Sequence, residues 1–263
     1  MTTGDMRRKP PFHTSSSRRL QLNPDKSELI WFGSRANLVK LRQLDVMSLN
    51  LWSVAVEPVD SVHDLGVMLD SKLSMRVHIG KISSTCFFHL RRLRKLRPLI
   101  DTASAQRLVS AFILSRVDYF NVVFAGLPTS MQQVLNAAAC FVSGVTSRTH
   151  VSGIMKSLVW LPIAYQIRFK LCVLMHGVHN GTSPSYLMNT ATPISSLPGH
   201  RQLRSAMTTE YDIHRTRTKF ADIAFSVAGL HEWNALPADI RNITDLSSFK
   251  QGMTTLFCLA YSD

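Results

Sequence analysis

Apolar residues recur at helical spacing in two consecutive segments in the first half of the chain. At 100° per residue, those of the first segment fall within an arc of roughly 120°; they are Ile79, Ile82, Cys86, Leu90, Leu93 and Leu96. Pro98 ends this helix, and Asp101 or Thr102 can cap the start of the next. The second helix, expected to extend to about Phe120, has its own apolar side, formed by Leu108, Val109, Phe112, Ile113 and Val117. The pattern predicts a helical hairpin.

Shorter apolar runs precede the hairpin and have the composition of strands. They are Leu29 to Phe32, Val46 to Val56 and Ser61 to Leu69, and Asn23-Pro24 marks a turn before them. We expect these strands to form a small antiparallel β unit.

The pattern after the hairpin is mainly helical. The expected helices are Met131 to Val142 with Gly144 at its end, Val151 to Leu158, Pro162 to Val178 with Gly177 and Gly181 closing it, Phe220 to Leu236, and Leu246 to Leu259 capped by Asp245 or Ser247. The predicted fold class is therefore α+β, mainly α. A small N-terminal antiparallel β unit is followed by a helical bundle and a C-terminal extended and helical region.

Composition changes divide the chain into five predicted segments. They are a disordered basic leader at 1–19, the β unit at 20–70, a helical domain at 71–180, a linker rich in Gly, Ser and Pro at 181–200, and a basic, helical C-terminal region at 201–263. The leader is basic and rich in serine without an apolar core, so it is not a secretory signal.

Positive charge is concentrated on the first helix of the hairpin. The chain has a formal charge of +13, and between Ser71 and Ile100 it has eight Lys or Arg and no acidic residue. The side of the helix opposite the apolar stripe carries Arg91, Arg92, Arg94 and Lys95, and a second basic group comprises Arg201, Arg204, Arg215, Arg217 and Lys219. Such charge favours contact with nucleic acid or another anionic surface. A solvated helix face is the alternative.

Cysteine spacing and hydropathy indicate an intracellular protein without a membrane span. Cys86, Cys140, Cys172 and Cys258 are far apart with apolar neighbours, as is typical of reduced, buried thiols. Residues 119–147 have no charge, but glycine, proline and amide residues divide them into pieces too short to span a bilayer. We expect a nuclear or cytoplasmic location.

Candidate catalytic and metal-binding residues do not form a recognisable site. Cys172, His176 and His179 share one side of a helix, but a zinc site needs a fourth ligand, so we favour a helix end with a partly exposed histidine. Asp118, at a helix end, is expected to be a cap or an ion-pair partner. After Phe220-Ala221-Asp222, Ile223 stands where a two-metal polymerase site needs a second carboxylate. We predict no catalytic residue, metal or cofactor.

Nine short motifs stand in order along the chain from about Leu20 to the C-terminus. They are Leu22-Asn23-Pro24-Asp25-Lys26-Ser27-Glu28, Asp64-Leu65-Gly66-Val67-Met68-Leu69-Asp70, Leu90-Arg91-Arg92-Leu93-Arg94, Ser115-Arg116-Val117-Asp118-Tyr119, Asn136-Ala137-Ala138-Ala139, Trp160-Leu161-Pro162, Arg215-Thr216-Arg217-Thr218-Lys219-Phe220, Phe225-Ser226-Val227-Ala228-Gly229 and Trp233-Asn234-Ala235-Leu236-Pro237. Together they resemble the reverse transcriptases of jockey-like non-LTR (LINE) retrotransposons. The chain departs from the family's usual residues at Cys140-Phe141, Leu230 and Thr254.

The resemblance implies a role for each part of the chain. Asn23 to Glu28 would follow the catalytic palm aspartates, Leu65-Gly66 would be a primer-grip-like turn, and the helices after Ser71 would form the thumb. The family's Tyr-Ala-Asp-Asp pair and its third aspartate would precede the matched region, where this chain has its basic leader. We therefore expect a fragment of an RNA-directed DNA polymerase that is not itself an enzyme.

The remaining function is expected to be binding. The favoured hypothesis is non-specific contact with RNA or an RNA–DNA hybrid through the basic helix and the C-terminal cations. One alternative is a co-opted helical module that binds an acidic protein, and another is a nonfunctional translated relic.

Overall fold

A computed structural model describes residues 26–43, 49–51, 54–119, 129–145, 151–196, 209–217 and 219–261. The chain forms two compact units, residues 1–77 and 78–263. The described residues confirm the predicted class, because helices dominate and the strands are short, antiparallel and near the start. The predicted leader, Asn23-Pro24, and the cations Arg201 and Arg204 lie outside the described residues.

The first unit contains one helix and two strand pairs. Helix α1 is Arg35–Gln43; β1 (Leu49–Leu51) pairs with β2 (Val54–Val56), and β3 (Ser61–Asp64) pairs with β4 (Val67–Asp70). The strand predicted at Leu29 to Phe32 is wrong, since Leu29 forms a single bridge to Pro58. Helix α1 was not predicted, although the Ser34 hydroxyl accepts a hydrogen bond from the Asn37 N–H at 3.3 Å in the manner of an N-cap.

Asp70 holds the segment that follows β4. Its carboxylate accepts the backbone N–H groups of Lys72 and Ser74, each at 3.0 Å, and the Ser74 hydroxyl at 2.9 Å. Leu73 and Met75 have φ values of +50° and +56°, a conformation that is unfavourable for bulky side chains. These hydrogen bonds offset part of that strain.

The second unit is a helical assembly. Its elements are α2 (Arg76–Arg94), a 3₁₀ turn (Arg97–Leu99), α3 (Thr102–Val109), a π-helical turn (Ser110–Leu114), α4 (Ser115–Asp118), α5 (Thr129–Ser143), α6 (Val151–Ser157), α7 (Ile163–His179), α8 (Ser185–Met188), α9 (Lys219–Asp222), α10 (Phe225–Asn234), α11 (Ala238–Arg241) and α12 (Leu246–Ala260). The boundary between the units falls in the first turn of α2. The single helix predicted at Phe220 to Leu236 is instead α9 and α10.

The apolar stripe of α2 is buried except at its end. Ile79, Cys86, Leu90 and Leu93 belong to the core, whereas Leu96 is 47% exposed. The prediction for Leu96 is wrong because α2 ends at Arg94, so Leu96 no longer follows the helical repeat. The predicted cap is confirmed: Asp101 accepts the Ser104 N–H at 3.0 Å at the start of α3.

A π-helical turn changes which residues of the second hairpin helix are buried. Within it, the Ser115 N–H bonds to the Ser110 carbonyl, five residues earlier. The buried residues are four apart: Ala105, Val109, Ile113 and Val117. In a regular α-helix such a series drifts by about 40° per step, and the wider π turn compensates for part of this drift. Phe112, predicted in the core, is 39% exposed, so that prediction is wrong.

The C-terminal helices pack on α7 rather than forming a separate region. Cys172, Met175 and Val178 of α7 share one core with residues of the last helices, principally Leu230, Trp233, Leu236, Ile240, Phe249, Met253 and Phe257. The extended segment before them is held by Asn234, whose side chain accepts the Tyr211 N–H at 3.0 Å and donates to the Tyr211 carbonyl at 2.8 Å. The described residues of the predicted linker and C-terminal region therefore belong to the second unit.

Candidate nucleic-acid interface

The predicted basic residues of α2 form one exposed surface. Arg91, Arg92, Arg94 and Lys95 are all exposed, and the first three lie in the last turn of the helix. Within the described part of the chain, none of the four pairs with a carboxylate. We call these four residues the basic face. Cations at a helix C-terminus also interact favourably with the helix dipole, so the same residues stabilise α2.

Arg97 does not belong to the basic face, although it continues the same run of charge. Its guanidinium donates to the carbonyls of Phe141, Ile100 and Val142 at 2.9, 3.0 and 2.8 Å. Phe141 and Val142 are in the last turn of α5, where carbonyl groups lack the regular N–H partner four residues ahead. Arg97 is therefore not part of a binding surface, because its charge stabilises the end of α5.

Two aromatic side chains lie beside the basic face. Phe88 of α2 is 47% exposed, and Phe112 of the π turn is 39% exposed. The His89 ring stacks on Phe112 with centroids 5.3 Å apart and meets Phe88 edge-on at 5.6 Å. The Arg92 guanidinium carbon is 5.5 Å from the centre of the Phe88 ring. Sequence analysis missed this pair, although Phe88 lies opposite the apolar stripe and could have been found from the same helical projection.

The second predicted basic group is only partly described and belongs to other elements. Arg215 and Arg217 are exposed in the extended segment that follows Tyr211, and Lys219 begins α9. Arg201 and Arg204 lie outside the described residues. Among the predicted nucleic-acid contacts, the structure brings Arg91, Arg92, Arg94 and Lys95 together at the C-terminal end of α2.

The predicted primer-grip-like residues form a tight turn in the first unit. Leu65 and Gly66 connect β3 to β4, with φ values of +45° and +84°. Positive φ at both central residues is typical of a type I′ hairpin turn, which favours Asn or Gly at the position of Leu65. Leu65 is 83% exposed.

Three other cations of the second unit have carboxylate partners. Arg168 meets Glu232 at 2.6 Å, Lys170 meets Asp118 at 2.7 Å, and Arg241 meets Glu210 at 3.2 Å. The expectation that Asp118 is a cap or an ion-pair partner is thus confirmed. Asp222, the carboxylate that was compared with a two-metal polymerase site, accepts a hydrogen bond from the Thr216 hydroxyl.

The candidate zinc ligands on α7 have structural partners. His176 Nε2 is 2.9 Å from the Ile243 carbonyl, and His179 Nδ1 is 3.0 Å from the Tyr211 hydroxyl. Cys172 is buried, which raises its thiol pKa to about 12. No group of three His, Cys, Asp or Glu side chains suited to a metal occurs among the described residues.

The Cys86 thiol is also unsuited to nucleophilic chemistry. Burial raises the pKa of Cys86 to about 11, against the opposing charge of Arg116. Because the thiolate is the reactive form, this thiol is inert near neutral pH. All four cysteines lie in the described part of the chain, and none of them forms a disulfide there.

Comparison with protein-family models, curated proteins and solved structures finds no match for this chain. The resemblance to reverse transcriptases therefore stays a prediction. Within the described ranges, no helix combines the length and the apolar character needed to cross a membrane.

Proposed function

We propose that this protein is derived from a jockey-like non-LTR retrotransposon reverse transcriptase and binds the backbone of RNA or an RNA–DNA hybrid without sequence preference. Its residues correspond to the end of the palm, the thumb and the C-terminal region. The observation that carries the binding proposal is the basic face, where Arg91, Arg92, Arg94 and Lys95 are exposed at the C-terminal end of α2 with no described carboxylate partner.

A helix suits this task because it presents cations in a fixed arrangement. Its apolar side is anchored by Cys86, Leu90 and Leu93, each less than a tenth exposed. Guanidinium and ammonium groups neutralise phosphates, and the released counterions provide much of the binding free energy. Contacts to phosphate carry no sequence information, so we expect low selectivity.

The proposal assigns no polymerase chemistry to these residues. Two-metal phosphoryl transfer needs closely placed carboxylates, and the sequence contains no adjacent pair of aspartates. We propose that the protein acts inside the cell, in the nucleus or the cytoplasm, by binding alone.

The experiment is a titration of the protein with RNA at several salt concentrations. For four phosphate contacts, log affinity should fall with log salt with a slope near −3 from these contacts alone. Changing Arg91, Arg92, Arg94 and Lys95 together to Gln keeps good helix formers and should remove most of that slope.

A charge-matched control is available in the same chain. Lys40, Lys72, Arg107 and Lys250 are exposed, and their change to Gln removes the same formal charge elsewhere. We expect this control to keep the salt slope. Equal loss in both variants would indicate attraction by net charge, and an unchanged slope in the basic-face variant would refute the proposal. Competition with an acidic peptide distinguishes the protein-binding alternative: displacement of RNA by peptide at lower concentration than by unlabelled RNA would favour it.

A further inference from the structure

Aromatic and cationic side chains occupy one continuous part of the α2 surface. With 100° per residue, Phe88, Arg91 and Arg92 fall within an arc of about 100°. From Phe88 to Arg94, where α2 ends, the helix rises by about 9 Å. This length accommodates about three stacked nucleotides at about 3.4 Å each.

The π turn places the second ring at this surface. Phe112 follows the apolar repeat of its helix in the sequence, but the altered helical geometry directs Ile113 into the core and leaves Phe112 39% exposed. Phe112 then lies over His89, with ring planes inclined by 28°. Two exposed phenylalanines thus flank His89, and the Arg92 guanidinium lies over the Phe88 ring.

Exposed rings with adjacent cations match the chemistry of single-stranded nucleic acid. Every base has a π face that can stack on an aromatic side chain, whereas a duplex keeps its bases inside. Arginine near the ring adds a cation–π contribution and neutralises phosphate. The absence of carboxylates from Ser71 to Ile100 makes the charge complementary to the backbone.

We propose that Phe88 and Phe112 form a base-stacking platform, so that the ligand of the basic face is single-stranded nucleic acid. This inference rests on the proposed function and deepens it. The cations hold the backbone, and the rings hold the bases without reading their identity. Phe88 and Phe112 are binding residues in this account, and His89 positions the two rings.

The test compares two probes that differ only in their bases. One is a single-stranded oligonucleotide of about ten residues, within the site sizes typical of such proteins. The other is an abasic backbone of the same length, which keeps the phosphates. Because stacking contributes roughly 1–3 kcal/mol per base, one stacked base should make the protein prefer the first probe by roughly 5- to 140-fold, and two stacked bases should increase the preference further.

The combined Phe88→Leu, Phe112→Leu variant should lose this preference and bind both probes as the original protein binds the abasic one, and each single variant should lose part of it. Leucine retains apolar bulk without a π face, and both positions are partly exposed, so the melting temperature should change little. Tyr186→Leu is the matched control, since Tyr186 is a 69% exposed aromatic on α8; it should keep the preference.

The outcomes separate this inference from the proposed function. Equal affinity for both probes, or tighter binding of a duplex than of the single strand, overturns the platform while phosphate binding by the basic face stands. Unchanged preference in the combined leucine variant also overturns the platform. No affinity for either probe refutes the proposed function and the platform together.

Discussion

Arginine and lysine have opposite surroundings in two regions of the second unit. In and around α7 and α11, Arg168, Lys170 and Arg241 are paired with carboxylates, and the Arg241 side chain is only 9% exposed. On the basic face, four cations project from the C-terminal end of α2 without a described carboxylate partner. The chain has 30 basic and 17 acidic residues, so some cations must remain unpaired. The location of the unpaired cations, rather than their number, therefore points to a binding surface.

Aromatic residues differ between the same two regions. Trp233 and Phe249 are fully buried, and the Trp233 indole N–H donates to the Thr209 carbonyl at 2.8 Å. Phe88 and Phe112 keep much of their surface exposed. Changes in the C-terminal core should therefore act on stability, and changes on the basic face should act on binding.

The largest effect is expected at Trp233. Trp233→Ala leaves a cavity in the core and removes a buried hydrogen bond, and should lower the free energy of unfolding by about 3–5 kcal/mol. Urea denaturation followed by circular dichroism measures this loss. Phe88→Ala should change stability by less than about 0.5 kcal/mol. Similar losses at the two positions would contradict the contrast between core and surface.

Arg97 lies in the same basic stretch of sequence, but its side chain contributes to the stability of the fold. Arg97→Gln removes charged hydrogen bonds to three carbonyls and should cost about 2 kcal/mol of unfolding free energy. Arg91→Gln, a few residues earlier, should cost less than about 1 kcal/mol of unfolding free energy and weaken RNA binding. If Arg97→Gln reduced the salt slope and left stability intact, the assignment of Arg97 as a cap of α5 would be wrong.

A smaller effect is expected for the ion pair between Arg168 and Glu232. Both side chains keep some exposure, 39% and 20%, so solvent weakens their attraction. Glu232→Gln should cost about 0.5–1 kcal/mol in low salt and less in high salt. RNA affinity should not fall, because this carboxylate does not belong to the basic face. A marked fall would contradict the assignment of RNA binding to the basic face alone.

The smallest expected effect is a pH dependence at His179. Burial, followed by the charges of His176 and Arg241, lowers its pKa below the ordinary value of 6.5. The unfolded state therefore binds a proton first as pH falls below 6.5, and the stability contributed by neutral His179 is lost as pH falls through the lowered pKa. His179→Gln should flatten this part of the stability profile in urea titrations. An equally steep profile in the variant would assign the effect to other groups.

Sequence patterns predicted the elements whose signals are local. The buried stripe of α2, the Asp101 and Asp245 caps, and Gly144 after α5 all follow from adjacent residues. Gly144, with φ of +68°, closes α5 together with the bond from the Val145 N–H to the Cys140 carbonyl at 3.1 Å.

Features set by tertiary packing escaped prediction. Periodicity cannot anticipate a π turn, so Phe112 was assigned to the core. Composition suggested a linker before the C-terminal region, but the apolar residues of α10 and α12 complete a core with α7. For the candidate site, charge density predicted the basic face. The hydrogen bonds of Arg97 to the end of α5 could not be predicted, because the acceptor carbonyls are more than forty residues away in the sequence.

Protection of lysine amines from acylation tests the central claim most directly. Lys95 of the basic face and Lys250 of α12 are both exposed and should react at comparable rates in the protein alone. With saturating single-stranded RNA, mass spectrometry should show Lys95 acylated several-fold more slowly and Lys250 unchanged. Protection of Lys250 with Lys95 still reactive, or equal reactivity of Lys95 with and without RNA, would contradict binding through the basic face.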